Sequence, residues 1–219
     1  MGYYPIFLEL RGRRCLVVGG GSVAEQKVRG LLAADADVTV VSPELAPRLQ
    51  QRLAQREIRH VAREYRTGDV TGFSLVMVAT DDGAVNALVA QDARRAGIWV
   101  NASDDPPNCD FILPSVIRKG EVVVAASTGG ASPALARRIR EDLNAFFAED
   151  YGPLAELLSE VRLLLRARGV QVDQETWQHA IDARFRALVA QRRLEEAREH
   201  LLRGLGLAAE AAGDGRGGR

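Results

Sequence analysis

The chain is poor in sulfur and in imidazole. Two cysteines, Cys15 and Cys109, in 219 residues give no disulfide framework. The three histidines, His60, His179 and His200, are scattered without metal-ligand spacing, so no resident metal is expected. Neither sign of charge is in excess, with 29 Lys+Arg against 29 Asp+Glu. Nucleic-acid binders carry a basic surplus, so no nucleic-acid partner is expected. No run approaches the roughly 18 apolar residues of a membrane span, and residues 1–10 lack the basic start and apolar core of a secretory signal. Internal repeats are also missing. These absences predict a reduced, cytoplasmic, soluble protein. The composition, 47% hydrophobic and 26% charged, is that of a globular chain able to build one large core or two modest ones.

Short apolar runs alternate with helical spacing through the first half. Strands are predicted at Arg14–Val18, Val38–Val41, Ile58–Val61, Leu75–Ala79 and Ile98–Asn101. Helices are predicted at Val23–Ala34, with Val23, Val28, Leu31 and Leu32 on one face, and at Leu45–Gln55 and Ala84–Ala96. Strands separated by helices argue for βαβ units and a mainly parallel, Rossmann-like sheet, an α/β fold. Pro106-Pro107 marks a loop. One more strand, Glu121–Ala126, follows the Lys119-Gly120 turn. Ser132-Pro133 then opens a helix running to Phe147, since serine caps and proline suits the first turn. Further helical patterns cover Pro153–Arg168 and Asp173–Arg203. The expected organisation is a dinucleotide-binding domain over residues 1–113, a dimerisation segment over 114–147, a helical domain over 148–207 and a disordered tail over 208–219. The amphipathic helices need a partner face, which a second copy of the chain supplies.

Gly19-Gly20-Gly21-Ser22-Val23-Ala24 fits G-x-G-x-x-A between a strand and a helix, the context in which this pattern holds a dinucleotide. Gly19 permits the turn, Gly21 lets the backbone approach a pyrophosphate, and Ala24 allows close helix packing. The N–H groups opening the helix, at Ser22 and Val23, face the phosphates. The second strand ends Val41-Ser42-Pro43-Glu44, with no carboxylate at its tip. Ser42 or Glu44 is expected to meet the ribose beside Pro43. No arginine stands at the tip for a 2′-phosphate, which favours NAD over NADP. At the end of the Leu75 strand, Thr80 is placed near the cofactor, while Asp81 or Asp82 caps the next helix. Asn101 and Asp104 end the following strand. Read from the residues alone, Asp104 either projects toward the nicotinamide half of the crevice or caps a turn before the prolines.

Six ordered blocks extend the pattern: Tyr4-Pro5-Ile6-Phe7, Val17 to Gly21, Ala79-Thr80-Asp81-Asp82, Asn101 with Asp104, Phe111-Ile112-Leu113-Pro114-Ser115, and Ser127-Thr128-Gly129-Gly130. From about residue 3 to 145 the chain closely resembles precorrin-2 dehydrogenase, which is also the N-terminal module of siroheme synthase. The resemblance implies NAD-dependent oxidation of precorrin-2 to sirohydrochlorin in a homodimer. It also implies, as in some relatives, insertion of ferrous iron to give siroheme. The family's catalytic aspartate falls on Asp104, and a second serine of some relatives is Thr128 here. No methyltransferase module accompanies these residues, so precorrin-2 is expected from another enzyme. The substrate carries many carboxylates, so basic side chains should line its cleft. Ser127, Thr128, Arg137 and Arg138, with Arg140, are its expected contacts, against the alternative of a solvated helix face for the arginines. Two other function classes compete with the enzyme. One is a dimeric regulator that senses NAD(H), which would need neither the Asp104 block nor these arginines. The other is a dimerisation module with a degenerate site, which the intact glycine pattern opposes.

Overall fold

The computed structural model describes residues 2–103, 105–147 and 151–207. The chain divides into two compact units, Met1–Leu113 and Pro114–Arg219.

In the first unit five parallel strands, β1 (Arg14–Val18), β2 (Asp37–Ser42), β3 (Ile58–Ala62), β4 (Leu75–Val78) and β5 (Trp99–Ala102), form one sheet in the order β3-β2-β1-β4-β5. Three helices, α1 (Ser22–Leu32), α2 (Pro47–Ala54) and α3 (Gly83–Arg95), connect them. Successive side chains of a strand point to opposite faces, and both faces are covered. Cys15 and Val17 of β1 pack with Val28, Leu31 and Leu49 of α1 and α2. Leu16 and Val18 pack with Val89, Ala90 and Ala93 of α3. Burial on both sides explains why these strands read as unbroken apolar runs. The chain order reverses between β1 and β4, and ligands bind at such a switch point in open α/β sheets.

The buried face of α1 differs from the expected one. It comprises Ala24, Lys27, Val28 and Leu31, whereas Val23 is 43% exposed. Residues one apart on a helix differ by about 100° in direction, so seating Ala24 against the sheet turns Val23 outward.

The second unit begins with an antiparallel hairpin of β6 (Ser115–Lys119) and β7 (Val122–Ala126). Strand β6 was not predicted from the sequence. The helix α4 (Pro133–Phe146) follows, capped by Ser132 Oγ, which accepts from Leu135 N at 3.2 Å. None of its residues is buried. Helix α5 (Tyr151–Ala167) packs through Leu157, Val161 and Leu165 onto a core with Phe185, Val189 and Leu201. The stretch expected as one helix, Asp173–Arg203, is three: α6 (Gln174–Ala180), α7 (Ala183–Ala190) and α8 (Leu194–Gly204). Asp182 ends the first by capping the next, accepting from Phe185 N at 2.7 Å. Arg192, at φ 60°, makes the second break. Among the described residues no helix is long and apolar enough to cross a membrane. The tail expected to be disordered, 208–219, lies outside the described residues.

Candidate dinucleotide site

The glycine turn is built by close backbone approaches on two of its three residues. Gly19 has φ 114°, and a Cβ there would stand 2.2 Å from Ala79 O at the end of β4. A Cβ on Gly20 would stand 1.9 Å from Glu44 O and 2.6 Å from Ser42 Oγ, beyond the end of β2. Gly20 occupies a free position of the sequence pattern, yet it is as constrained as Gly19, and only the β2 loop explains why. Gly21 is different. Its φ is −85° and nothing lies within 4 Å of a Cβ built there. Internal packing does not demand glycine at 21, and the position is open to the approach of an external group. Gly21 is also the N-cap of α1 and provides no side-chain cap. The N–H groups of Ser22 and Val23 stand in the first turn of α1, at the positive end of the helix dipole. The acidic first-turn residue Glu25 pairs with Arg48 at 3.2 Å, which offsets a charge that would repel phosphate.

At the end of β2, Ser42 is buried and already engaged. Its hydroxyl donates to Glu44 O at 2.7 Å. His60 Nε2, from β3, donates to Ser42 O at 2.9 Å and lies 3.3 Å from Ser42 Oγ. His60, without metal-ligand spacing in the sequence and read as a surface or structural histidine, here braces the β2 tip. Pro43 and Glu44 are exposed beyond it. At the end of β4, Thr80 lies beside Gly19, its Cγ2 3.4 Å from the Cβ position. Its hydroxyl donates to the buried Asn86 Oδ1 at 2.7 Å. Asp82 is the residue that caps α3, accepting from Ala84 N at 2.8 Å.

Asn101, at the end of β5, is also fully committed. Its Oδ1 accepts from Lys27 Nζ at 2.7 Å, and its Nδ2 donates to Phe111 O at 2.8 Å. Cys109 Sγ donates to Ala102 O at 3.0 Å and accepts from Ala102 N at 3.2 Å. Burial pushes the Cys109 thiol above its ordinary value, opposed by the Ala102 backbone and by the Lys27 ammonium. The other thiol, Cys15, is pushed up to about 11 by burial in the sheet and then by Asp37. Asp110 accepts from Val100 N at 3.1 Å and pairs with Arg94 at 2.9 Å. Asp104 itself lies outside the described residues. Thus Gly19, Gly21, Ser22, Val23, Ser42, Pro43, Glu44, Thr80 and Asn101 all fall at the carboxyl edge of one sheet.

In the second unit, Ser127 Oγ accepts from Gly129 N at 3.0 Å. Thr128 Oγ1 donates to Ser132 O at 3.0 Å and accepts from its N–H at 3.1 Å. These bonds shape the turn that opens α4. Arg138 pairs with Asp142 at 3.0 Å, and Arg137 is exposed. Among the described residues no cluster of three or more metal-ligating side chains occurs.

Comparison with known proteins points to a nicotinamide dinucleotide as the cofactor class. The NAD(P)-binding family matches residues 6–115, and the central region of sirohaem biosynthesis proteins matches residues 124–145. A siroheme synthase of Photobacterium profundum is 41% identical over 204 residues, covering 92% of this chain and 44% of that protein. Siroheme synthase 2 of Aeromonas hydrophila is 48% identical over 162 residues, covering 74% of this chain and 34% of its own length. The chain therefore spans less than half the length of these relatives. The solved structure of SirC, precorrin-2 dehydrogenase, superposes with a TM-score of 0.72 at 31% identity, covering 90% of this chain and 99% of that one. By sequence and by fold, the chain belongs to the precorrin-2 dehydrogenase family, whose fold also forms part of siroheme synthase.

Proposed function

We propose that this protein is a precorrin-2 dehydrogenase that oxidises precorrin-2 to sirohydrochlorin with NAD. The observation that carries the reading is the open position at Gly21, on an uncapped helix at the switch point, in a chain that spans nearly all of a precorrin-2 dehydrogenase. The dinucleotide rests on the amides of Ser22 and Val23, with Gly19, Thr80 and Asn101 shaping the wall beside it. NAD is favoured over NADP because Arg48 is drawn to Glu25, leaving no cation assigned to a 2′-phosphate. With the Ser42 hydroxyl turned to Glu44 O, the exposed Glu44 carboxylate takes the ribose hydroxyls.

When bound, the nicotinamide supplies the hydride acceptor. The protein's task is to hold the donor carbon near it and to take the proton that leaves the macrocycle. We assign that proton to the Asp104 carboxylate. Ser127, Thr128, Arg137 and Arg138 bind the substrate, the arginines meeting its carboxylates. Ferrous iron is a second substrate in this reading: inserting it requires loss of pyrrole N–H protons, and Asp104 accepts those as well. The protein acts as a homodimer, supported by the wholly unburied α4 with Leu135 and Phe146, 52% and 71% exposed. A cytoplasmic location accords with two free thiols.

The test is incubation with precorrin-2 and NAD, followed by absorbance, with and without ferrous iron. Sirohydrochlorin is expected, and siroheme above the non-enzymatic rate when iron is added. NAD binding without sirohydrochlorin would favour a regulator that senses NAD(H).

A further inference from the structure

Twenty-nine residues of the chain are lysine or arginine, and only Lys27 and Lys119 are lysine. One of these two is buried. Lys27 is 7% exposed, on the face of α1 that packs against the sheet. Burying an ammonium is costly unless it is hydrogen-bonded. In a chain whose cations are arginine at all but two positions, this place has the cation compact enough to end a thin stem in a point charge.

Lys27 Nζ donates to Asn101 Oδ1 at 2.7 Å. An ammonium can only donate, so it dictates which end of the Asn101 amide faces it. The amide NH₂ is thereby turned to Phe111 O, 2.8 Å away, and toward Cys109 Sγ, 3.6 Å away. Cys109 in turn exchanges two hydrogen bonds with the backbone of Ala102. The connection between Ala102 and Phe111 is closed at both ends by this chain of bonds, and Asp104 is one of its residues. Arg94 braces the same connection from α3, through Asp110 and Pro107 O. Lys27 acts on it from α1 through Asn101 of β5, five residues after the start of that helix.

We propose that Lys27 is a positioning residue. By orienting the Asn101 amide it fastens the connection that runs from Ala102 to Phe111, through β5, to the helix that opens the dinucleotide site. The clamp is a property of the free protein; its effect on turnover rests on the dehydrogenase reading.

The test uses Lys27→Met, which keeps the stem and removes the charge. Cys15 is fully buried, so a thiol reagent reports on Cys109. Removing the cation takes away an interaction that lowers the Cys109 pKa, so a purely electrostatic role predicts slower labelling. A clamp predicts faster labelling, by about tenfold, because the loop opens locally. It also predicts turnover reduced by about 100-fold, the scale of a misplaced catalytic group, with the NAD dissociation constant within about twofold of wild type. Asn101→Asp is the second variant, should Lys27→Met fail to fold. It keeps an acceptor for Lys27, loses the donor to Phe111 O, and should likewise speed labelling. Lys27→Met combined with Asn101→Ala should lose little more turnover than either alone, as expected for residues acting as a unit. Unchanged or slower labelling in a folded variant overturns the clamp, whatever the wild type does with precorrin-2. Faster labelling in a protein whose wild type leaves precorrin-2 unoxidised upholds the clamp and removes the dehydrogenase reading.

Discussion

The Rossmann-like unit and the segment that follows it bury their apolar residues in opposite ways. In the first unit each central strand is covered on both faces, so Cys15, Leu16 and Val17 are all fully buried within one chain. Between Pro114 and Phe147 the chain has comparable apolar content, yet Ile117 is its one buried hydrophobic residue among those described. Val116, Leu135 and Phe146 remain uncovered. The sheet of the first region is covered by its own helices, while the segment before it leaves Tyr4, Ile6 and Phe7 exposed. The second has the composition of a core without its closure, which is what an interface between copies looks like before assembly.

The largest expected effect falls on catalysis. Asp104→Ala should lower turnover by about a thousandfold, within the range of general acid–base catalysis, while NAD affinity stays near wild type; steady-state rates and an NAD titration check this together. The next effect separates two adjacent glycines. Gly20→Ala places a Cβ against Glu44 O and should destabilise the first unit by about 3 kcal/mol, the upper range for overpacking. Gly21→Ala has open space and should leave stability within about 1 kcal/mol while weakening NAD binding. Thermal melts with and without NAD distinguish them.

A matched pair then sharpens the contrast between regions. Leu16→Ala removes a fully buried side chain and should cost about 3 kcal/mol, read from denaturant unfolding. Leu135→Glu, on α4, should leave the fold of either unit intact and shift the protein from dimer toward monomer in sedimentation. A Leu135→Glu protein that stays dimeric would break the comparison.

The smallest effect is a pH dependence in the helical core. The bond from Phe185 N, then the His200 contact, holds the Asp182 carboxyl below the ordinary carboxylate range. A carboxylate whose folded pKa is depressed contributes stability above its unfolded pKa, and that contribution is lost as pH falls through the folded value. Asp182→Asn should flatten the acid limb of the stability profile.

The sequence made legible whatever depends on local pattern. The β1–α1 turn, the parallel strands and the Ser132 cap follow from apolar runs, glycine spacing and capping chemistry. Strand β6 was hidden because Ser115–Lys119 has only two adjacent apolar residues, Val116 and Ile117, between polar ones, without the continuous apolar run of β7. The breaks between α6, α7 and α8 lack glycine and proline; they rest on Asp182 as a cap and on Arg192 in a left-handed conformation. At the candidate site the missed residues act through non-local partners. Gly20 matters because of Glu44, His60 because of Ser42, and Lys27 because of Asn101 at a separation of 74 residues. A lysine on an amphipathic helix reads as solvent-facing until the sheet beneath it is known.

The central claim is that a nicotinamide dinucleotide lies against Gly21 and oxidises precorrin-2 there. Gly21→Val tests it directly, because a φ of −85° admits a side chain and nothing lies within 4 Å of its Cβ. With an unchanged thermal midpoint, this variant should form neither NADH nor sirohydrochlorin, where the wild type forms them in step. A stable Gly21→Val protein that turns over precorrin-2 at the wild-type rate would contradict the account.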